Sequence, residues 1–284
     1  MHSEDERKYG EWRANAHRYS REWWRSNVMA NQALDADSSL RAKLEDQSTK
    51  GTVETAHVYL VEDAWNPIRH GTHADVRLSI GKVNPRTVKR QVYIFFGMPG
   101  AGKTTCLCRM VLAHRVRLGI ENRFAAEISA DNVREKLPEY EHGLGSGVVQ
   151  KEASHITYGV DYPAALESGA DIVIDSIGRP NYVEQWVTDL SQIDCEVHVL
   201  GALCTVGVAT ERMRARALST GRFLPSEIIP EARHDVEQTA RRIQNSNWPV
   251  TSWALVDTSA NNVPPVVEQG TTPWGIVGEP VALW

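Results

Sequence analysis

The pattern of apolar and polar residues changes character near residue 90. From there onward, short apolar runs alternate with longer stretches in which apolar residues recur every three or four positions. Runs of the first kind predict buried strands, and stretches of the second kind predict amphipathic helices. The predicted strands cover 91–96, 123–129, 171–176, 195–204 and 251–257, and the predicted helices cover 103–118, 146–168, 180–192, 207–218 and 226–246.

Apolar strands separated by helices are typical of a mostly parallel sheet that is covered by helices on both faces. Right-handed crossovers place the carboxyl ends of such strands along one edge of the sheet, where ligands bind. We therefore predict one α/β domain over residues 91–284 and expect its functional residues to follow the strands.

The chain before this domain has a different pattern. Residues 1–50 show helical spacing and predict an N-terminal helical extension, whose apolar stripe packs against the main domain or against another protein. Residues 51–90 are predicted to connect the two parts. They comprise a short strand or extended linker at 51–62, a helix with Pro67 in its first turn, and a basic linker at 82–90.

Composition narrows the class of protein. Of the 284 residues, 42% are hydrophobic and 24% are charged, which argues against wholesale disorder. The net charge of −5 gives no global attraction to nucleic acid or to anionic membranes. No apolar stretch approaches the roughly 20 residues that cross a bilayer, and the charged start lacks the apolar core of a signal peptide. We therefore expect a cytoplasmic protein without a membrane partner.

The strongest motif lies between the first predicted strand and the first predicted helix of the domain. The run GMPGAGKT fits G-x-x-x-x-G-K-[ST], the Walker A or P-loop pattern, and predicts a P-loop NTPase fold that binds ATP, or GTP in its place, with Mg²⁺. Lys103 would contact the β- and γ-phosphates, and the Thr104 hydroxyl would bind Mg²⁺. The expected nucleotide-binding residues are Gly97, Gly100, Ala101, Gly102, Lys103, Thr104 and Thr105.

Two polar residues follow the second predicted strand. Asp131 and Arg134 are three residues apart, so on a helix their side chains share one face. Beside a P-loop, Asp131 is a candidate general base that takes the proton of an acceptor hydroxyl. Arg134 is a candidate for holding an anionic group of the substrate. The alternative is that Asp131 only caps the helix.

The ends of two later strands also carry polar residues. Asp175 follows three apolar residues, which suits either a contact with Mg²⁺, partly through water, or binding of the acceptor hydroxyls. Its alternative role is a helix or turn cap. Arg179 would reach anionic groups of the ligand, or remain a solvated surface residue. After the last predicted strand, Thr258, Ser259 and Asn261 are candidates for bordering the nucleotide base.

The stretch TERMRARALSTGRFLP, residues 210–225, is rich in arginine. Arginines that swing in on a mobile lid can stabilise the charge that develops on a transferring phosphoryl group and can exclude water. We expect Arg212 and Arg222 to act in catalysis. Arg214 or Arg216 would replace Arg212 if the helical register differs, and surface charge is the alternative for the whole set.

Taken in order, these segments resemble the zeta-toxin family of P-loop kinases. The resemblance covers about residues 90–230 and runs through GMPGAGKTT, ISADNVREKLPEY, LESGADIVIDSIGRP and TERMRARALSTGRFLPSEI. It implies ATP- and Mg²⁺-dependent phosphorylation of a sugar hydroxyl on UDP-N-acetylglucosamine. It also implies that Lys103 and Thr104 bind the triphosphate and Mg²⁺, that Asp131 is the base, and that Arg212 and Arg222 bind phosphate.

The sequence departs from the family pattern on the acceptor side. The family has an acid, a small residue and Thr after the third strand, where this chain has Asp175, Ser176 and Ile177. A glutamate expected near 158–161 is represented only by Asp161, which is the remaining candidate for substrate binding.

The resemblance also bears on partners and on alternative activities. Zeta toxins are restrained by a helical antitoxin, so the N-terminal region could be a fused antitoxin-like or partner-binding element. The Asp-x-x-Arg text also resembles that of polynucleotide 5′-hydroxyl kinases and adenylylsulfate kinases. A polynucleotide 5′-hydroxyl kinase or nucleotide kinase is therefore the alternative enzyme, and nucleic acid is a partner only under that alternative. A nucleotide-gated ATPase that acts on a partner protein is the alternative of another class.

Overall fold

The computed structural model describes residues 54–61, 64–81, 88–120, 126–143, 146–220, 228–245, 248–260, 266–269 and 274. The predicted helical extension over residues 1–50 lies outside the described residues, as do residues 82–87 of the basic linker.

The described chain alternates short and long elements. Some helical stretches contain π-helical turns, at Lys103–Leu107 and His155–Asp161, and a 3₁₀ turn covers Pro138–Gly143. In chain order the elements are α1 (Thr55–Tyr59), β1 (Leu60–Val61), β2 (Ala64–Trp65), α2 (Pro67–Val76), β3 (Arg90–Gly97), α3 (Cys108–Arg117), β4 (Ala126–Ile128), α4 (Ala130–Arg134), α5 (Gln150–Ser154), α6 (Tyr162–Ser168), β5 (Ile172–Asp175), α7 (Pro180–Leu190), β6 (Cys195–Leu203), α8 (Val206–Thr220), α9 (Ile228–Asn245), β7 (Ser252–Asp257) and β8 (Val266–Gln269).

The chain folds into two compact units, and each is assembled from three stretches of sequence. Unit one comprises the described residues within Met1–Arg77, Ala130–Gly159 and Arg214–Ser226. Unit two comprises those within Leu78–Ser129, Val160–Met213 and Glu227–Trp284. This arrangement differs from the serial division into residues 1–50, 51–90 and 91–284 that the sequence pattern favours.

Unit two contains a six-stranded sheet in the order β4-β5-β3-β6-β7-β8. All pairs are parallel except β7 with β8, which is antiparallel. The register pairs Phe95 with Asp175, Gly97 with Ala202, and Leu203 with Asp257. The carboxyl ends of β5, β3, β6 and β7 therefore lie along one edge, as the crossover argument predicts.

The five predicted strands and the mostly parallel sheet are confirmed. In β3, seven of the eight residues are buried, because helices cover both faces of a central parallel strand. The antiparallel strand β8 escaped the sequence prediction. Its four residues, VVEQ, follow two prolines and are too short to show a period of their own.

The region 51–62 was expected to be extended, and the structure corrects this. Among the described residues of this region, Thr55–Tyr59 form helix α1, and Leu60–Val61 form strand β1. A tertiary contact decides the outcome, because the Thr55 N–H and hydroxyl both donate to the carbonyl oxygen of Val148 and Ala56 is buried. The helix predicted to open at Pro67 is confirmed as α2.

A buried polar network crosses the strands of unit two. The ring of His198 on β6 bonds to the Ser252 hydroxyl at 2.8 Å and to the side-chain oxygen of Gln91 at 2.9 Å. The Trp274 indole donates to the same Ser252 hydroxyl at 2.8 Å. Burial, with His114 nearby, lowers the pKa of His198 to about 3. The ring is therefore neutral in the folded protein at physiological pH.

Unit one is held by an apolar core and by a buried ion cluster. The core consists of Val76, Val133, Leu137, Tyr140, Val149, Ala153 and Ile156. In the ion cluster, Arg69 of α2 donates two hydrogen bonds to Glu152 of α5, at 2.9 and 2.8 Å, and two to Glu139, at 2.7 and 3.0 Å. His73 lies 2.7 Å from the Glu152 carboxylate. Although burial opposes it, the hydrogen bonds from Arg69 and His73 lower the pKa of Glu152.

Candidate active site

The P-loop follows β3 and turns sharply before the π-helical segment begins. Gly100 and Gly102 have φ angles of +80° and +77°, which side-chain-bearing residues rarely adopt. A Cβ added to Gly100 would lie 2.6 Å from the carbonyl oxygen of Ala209, so the chain also needs glycine there for space. Ala101 is fully buried, whereas Thr104 and Thr105 are exposed. This is the backbone geometry that lets successive N–H groups surround a phosphate.

Lys103 is placed by the loop itself. Its ammonium donates to the carbonyl oxygen of Gly97 at 2.8 Å and lies 3.9 Å from a carboxylate oxygen of Asp175. Asp175 ends β5, which is the direct neighbour of β3, and the Ser176 N–H donates to the Phe95 carbonyl at 3.1 Å. Asp175 therefore lies beside the P-loop, and its predicted contact with Mg²⁺ or with the acceptor hydroxyls stays a prediction.

The oxygen groups of this edge suit Mg²⁺, which prefers hard oxygen ligands. The Thr104 hydroxyl is exposed, and the Asp175 carboxylate is partly buried near Lys103. The Ser176 hydroxyl is buried and has no hydrogen-bond partner among the described residues. Among the residues that the structure describes, no cluster of three or more His, Cys, Asp or Glu side chains forms a metal site.

Arg212 of α8 lies against the P-loop. Its guanidinium donates to the carbonyl oxygen of Gly100 at 3.3 Å and to the carbonyl oxygen of Thr258 at 2.8 Å. It also donates to the Thr258 hydroxyl at 3.3 Å. Arg212 is thus part of the donor side of unit two. The predicted movement of this arginine as part of a lid stays a prediction.

In unit one, Asp131 and Arg134 form an ion pair within α4, as their spacing predicts. The other terminal nitrogen of Arg134 donates to the side-chain oxygen of Gln150 on α5. The Arg134 side chain is 8% exposed, and that of Asp131 is 33% exposed. Helix α4 begins at Ala130, so Asp131 lies within its first turn. The arginine fixes the carboxylate, which keeps access to solvent.

The remaining candidates are less centrally placed. The Arg179 side chain is 66% exposed and lies 3.8 Å from Asp235. Asp161 is 3% exposed and accepts a hydrogen bond from the Leu78 N–H at 3.1 Å. Arg222 lies outside the described residues. Asp161 therefore serves the packing of unit two in this structure, and its predicted role in substrate binding stays a prediction.

Sequence reasoning missed Gln150 and predicted a different contact for Thr258. Gln150 meets Arg134 across sixteen positions of sequence, and Thr258 meets Ala101 across 157. Neither belongs to a motif. Thr258 was expected to border the nucleotide base, but its hydroxyl lies 2.7 Å from the carbonyl oxygen of Ala101. The sequence gives one signal for a role of Thr258: the residue directly follows β7, and ligands bind at this edge of a parallel sheet.

The pKa values of the two cysteines near the P-loop do not favour a nucleophilic role. Burial, reinforced by the nearby carboxylates of Glu127 and Asp175, raises the pKa of the Cys108 thiol to about 12. Burial also raises the pKa of Cys106. Both thiols therefore stay protonated at neutral pH, whereas nucleophilic catalysis requires a thiolate.

Among the described helices, none is long and apolar enough to cross a membrane.

Comparisons with known proteins agree with this geometry. The model of the zeta toxin family matches residues 76–262. The fold is similar to the AvrRxo1-ORF1:AvrRxo1-ORF2 complex with sulphate ions, with a TM-score of 0.57 and 15% identity over 76% of each chain. A structure of the same complex with ATP gives a TM-score of 0.57 and 14% identity, over 76% of this chain and 75% of that one. A search of curated proteins found no significant match.

Proposed function

This chain belongs to the zeta-toxin family, and on that premise we propose that it is an ATP- and Mg²⁺-dependent kinase. In this proposal it transfers the γ-phosphate to a hydroxyl of a nucleotide-sugar such as UDP-N-acetylglucosamine. The observation that carries the proposal is the convergence of Lys103, Asp175 and Arg212 on the P-loop of unit two.

The donor side would work by positioning and by electrostatics. Backbone N–H groups of the loop hold the phosphates, and the Lys103 ammonium exchanges its bond to the Gly97 carbonyl for the β- and γ-phosphates. Arg212 is set beside Gly100, where a cation lowers the cost of the negative charge that develops during transfer. GTP would fit the same phosphate contacts.

Mg²⁺ would be held by the Thr104 hydroxyl and, partly through water, by Asp175. When bound, the ion neutralises charge on the β- and γ-phosphates. Lys103 lies 3.9 Å from Asp175, so its charge would orient that carboxylate toward the loop. These roles rest on the oxygen groups described above.

The acceptor side would depend on Asp131. Its carboxylate takes the proton of the acceptor hydroxyl as the oxygen attacks the γ-phosphorus, and ADP departs with the electrons of the broken bond. Arg134, which also donates to Gln150, holds the carboxylate in one rotamer. Arg179 remains a candidate for the anionic groups of the acceptor, and Arg222 remains a candidate catalytic arginine that binds phosphate. The nucleotide-sugar itself is inferred from the family.

We also propose that a protein element restrains the activity, because the family is controlled by helical antitoxins. The candidate within this chain is residues 1–50, whose tryptophan-rich stripe needs a partner surface. Deleting residues 1–50 should then raise ATP-dependent activity. Unchanged ATP binding and unchanged activity after the deletion would refute an autoinhibitory role.

An acceptor screen tests the main proposal. The full-length protein is incubated with Mg²⁺ and γ-labelled ATP, together with UDP-N-acetylglucosamine, 5′-hydroxyl DNA, 5′-hydroxyl RNA or free nucleosides. Lys103→Met serves as the background control. The expected result is label on the nucleotide-sugar that depends on Lys103. Label on nucleic acid alone would favour a polynucleotide kinase, and full-rate ATP hydrolysis without any acceptor would contradict a kinase.

A further inference from the structure

The residue that links the P-loop to Arg212 is Thr258, which follows β7 directly. Its backbone N–H donates to the Leu203 carbonyl at 2.8 Å, so the loop after β7 is tied to the end of β6. The residue is 9% exposed. Its side chain therefore points into the protein, and its hydroxyl is available to protein groups rather than to a nucleotide base.

A hydroxyl has one proton to donate and lone pairs to accept with. The Thr258 hydroxyl has two carbonyl oxygens within reach, that of Ala101 at 2.7 Å and that of Leu203 at 3.0 Å. It accepts from a terminal nitrogen of Arg212 at 3.3 Å, while the other terminal nitrogen donates to the Thr258 carbonyl at 2.8 Å. The Thr258 hydroxyl thus donates toward the P-loop, and the hydroxyl and carbonyl oxygens of Thr258 both accept from Arg212.

We propose that Thr258 is a positioning residue that holds Arg212 and the P-loop in their nucleotide-binding arrangement before ATP binds. The inference rests on the proposed function, because it gives Arg212 the role of a phosphate-binding cation. Arg212 is already placed, since it contacts Gly100 as well as Thr258. A cation that is held in place needs little reorganisation when the ligand arrives, so more of its interaction appears as affinity.

Removing the hydroxyl tests this role. Thr258→Ala loses the bond to Ala101 and the acceptor for Arg212, and a smaller side chain introduces no clash. Hydrogen bonds to charged groups are the stronger class, so we expect the affinity for Mg²⁺-ATP to fall about tenfold. Thr258→Ser keeps the hydroxyl and should stay within about twofold of the wild type.

The experiment is a double-mutant cycle measured by calorimetric titration of Mg²⁺-ATP into the full-length protein. The variants are Thr258→Ala, Arg212→Met and the double variant, with Thr258→Ser as the rescue. Thr188→Ala is the matched control, because its hydroxyl donates to the Glu184 carbonyl on the exposed side of α7. Thermal melts establish that each variant is folded.

The expected result is coupling. Thr258→Ala should weaken ATP binding about tenfold in the wild type but less than about twofold once Arg212 is absent, because the interaction it supports is gone. Three results would overturn the proposal: an equal loss in both backgrounds, wild-type affinity in Thr258→Ala, or a tenfold loss in Thr258→Ser. The titration needs no acceptor, so it can succeed or fail whatever the acceptor screen finds.

Discussion

Arg69, a buried arginine of unit one, offers a large and measurable effect on stability. Arg69 is 6% exposed in its side chain and contacts Glu152, which is fully buried, and Glu139, which is 32% exposed. Its guanidinium also lies 4.7 Å from the ring centre of Tyr59. The perturbation is Arg69→Met, which keeps a long apolar stem but removes the charge and four hydrogen bonds.

The cost follows from what remains behind. Glu139 can turn toward water, but the Glu152 carboxylate stays buried. It loses both hydrogen bonds from Arg69 and keeps the contact with His73 at 2.7 Å. Breaking a buried ion pair on one side costs about 3–5 kcal/mol, because one charge is left uncompensated. Replacing both partners by apolar residues is nearly neutral in comparable cases. Arg69→Met with Glu152→Leu should therefore recover most of the loss.

The assay is urea unfolding of the full-length protein at neutral pH, combined with hydrogen exchange of peptides that cover α2 and α5. Arg233→Met is the matched control. Arg233 and Glu237 are also 2.7 Å apart, but they are 46% and 39% exposed. Such an exposed helical pair contributes only about 0.3–0.5 kcal/mol. An equal effect of Arg69→Met and Arg233→Met, or a double variant no better than the single one, would refute the reasoning.

Two further predictions concern unit two. Burial beside His114 lowers the pKa of His198 from 6.5 to about 3. Below about pH 6.5 the His198 ring therefore binds a proton in the unfolded chain but stays neutral in the folded protein. Stability should fall by about 2 kcal/mol between pH 7 and pH 5, and His198→Gln should lose most of that dependence in urea titrations. In ATP titrations, Gly100→Ala should weaken binding at least about tenfold, because its Cβ would meet the Ala209 carbonyl at 2.6 Å. Gly119→Ala, with a φ of +67° and nothing within 4 Å, is its control and should leave ATP affinity unchanged.

Much of unit two could be predicted because its signals are local. The apolar run of β3 predicts a buried strand from its own residues. The P-loop pattern predicts the turn between this strand and the following helix from consecutive residues alone. The pairing of Asp131 with Arg134 follows from helical spacing alone. These features need only the residues that form them.

What could not be predicted depends on contacts between distant residues. Thr258 reaches Ala101 and Arg69 reaches Glu152 through the tertiary fold, and no spacing rule connects them. Helix α1 forms where an extended segment was expected, because Val148 supplies an acceptor from elsewhere in the chain. Each of the two units is built from three separate stretches, so local sequence patterns cannot predict this division either.

The central proposal is that this chain is a kinase in which Asp131 is the general base. The phosphate comes from ATP that binds to the P-loop of unit two. The most direct measurement compares wild type with Asp131→Asn for transfer of γ-label to UDP-N-acetylglucosamine, alongside ATP affinity. We predict that transfer falls about a hundredfold or more, as for loss of a general base, while ATP affinity stays within about twofold. Transfer by Asp131→Asn at the wild-type rate would contradict the account.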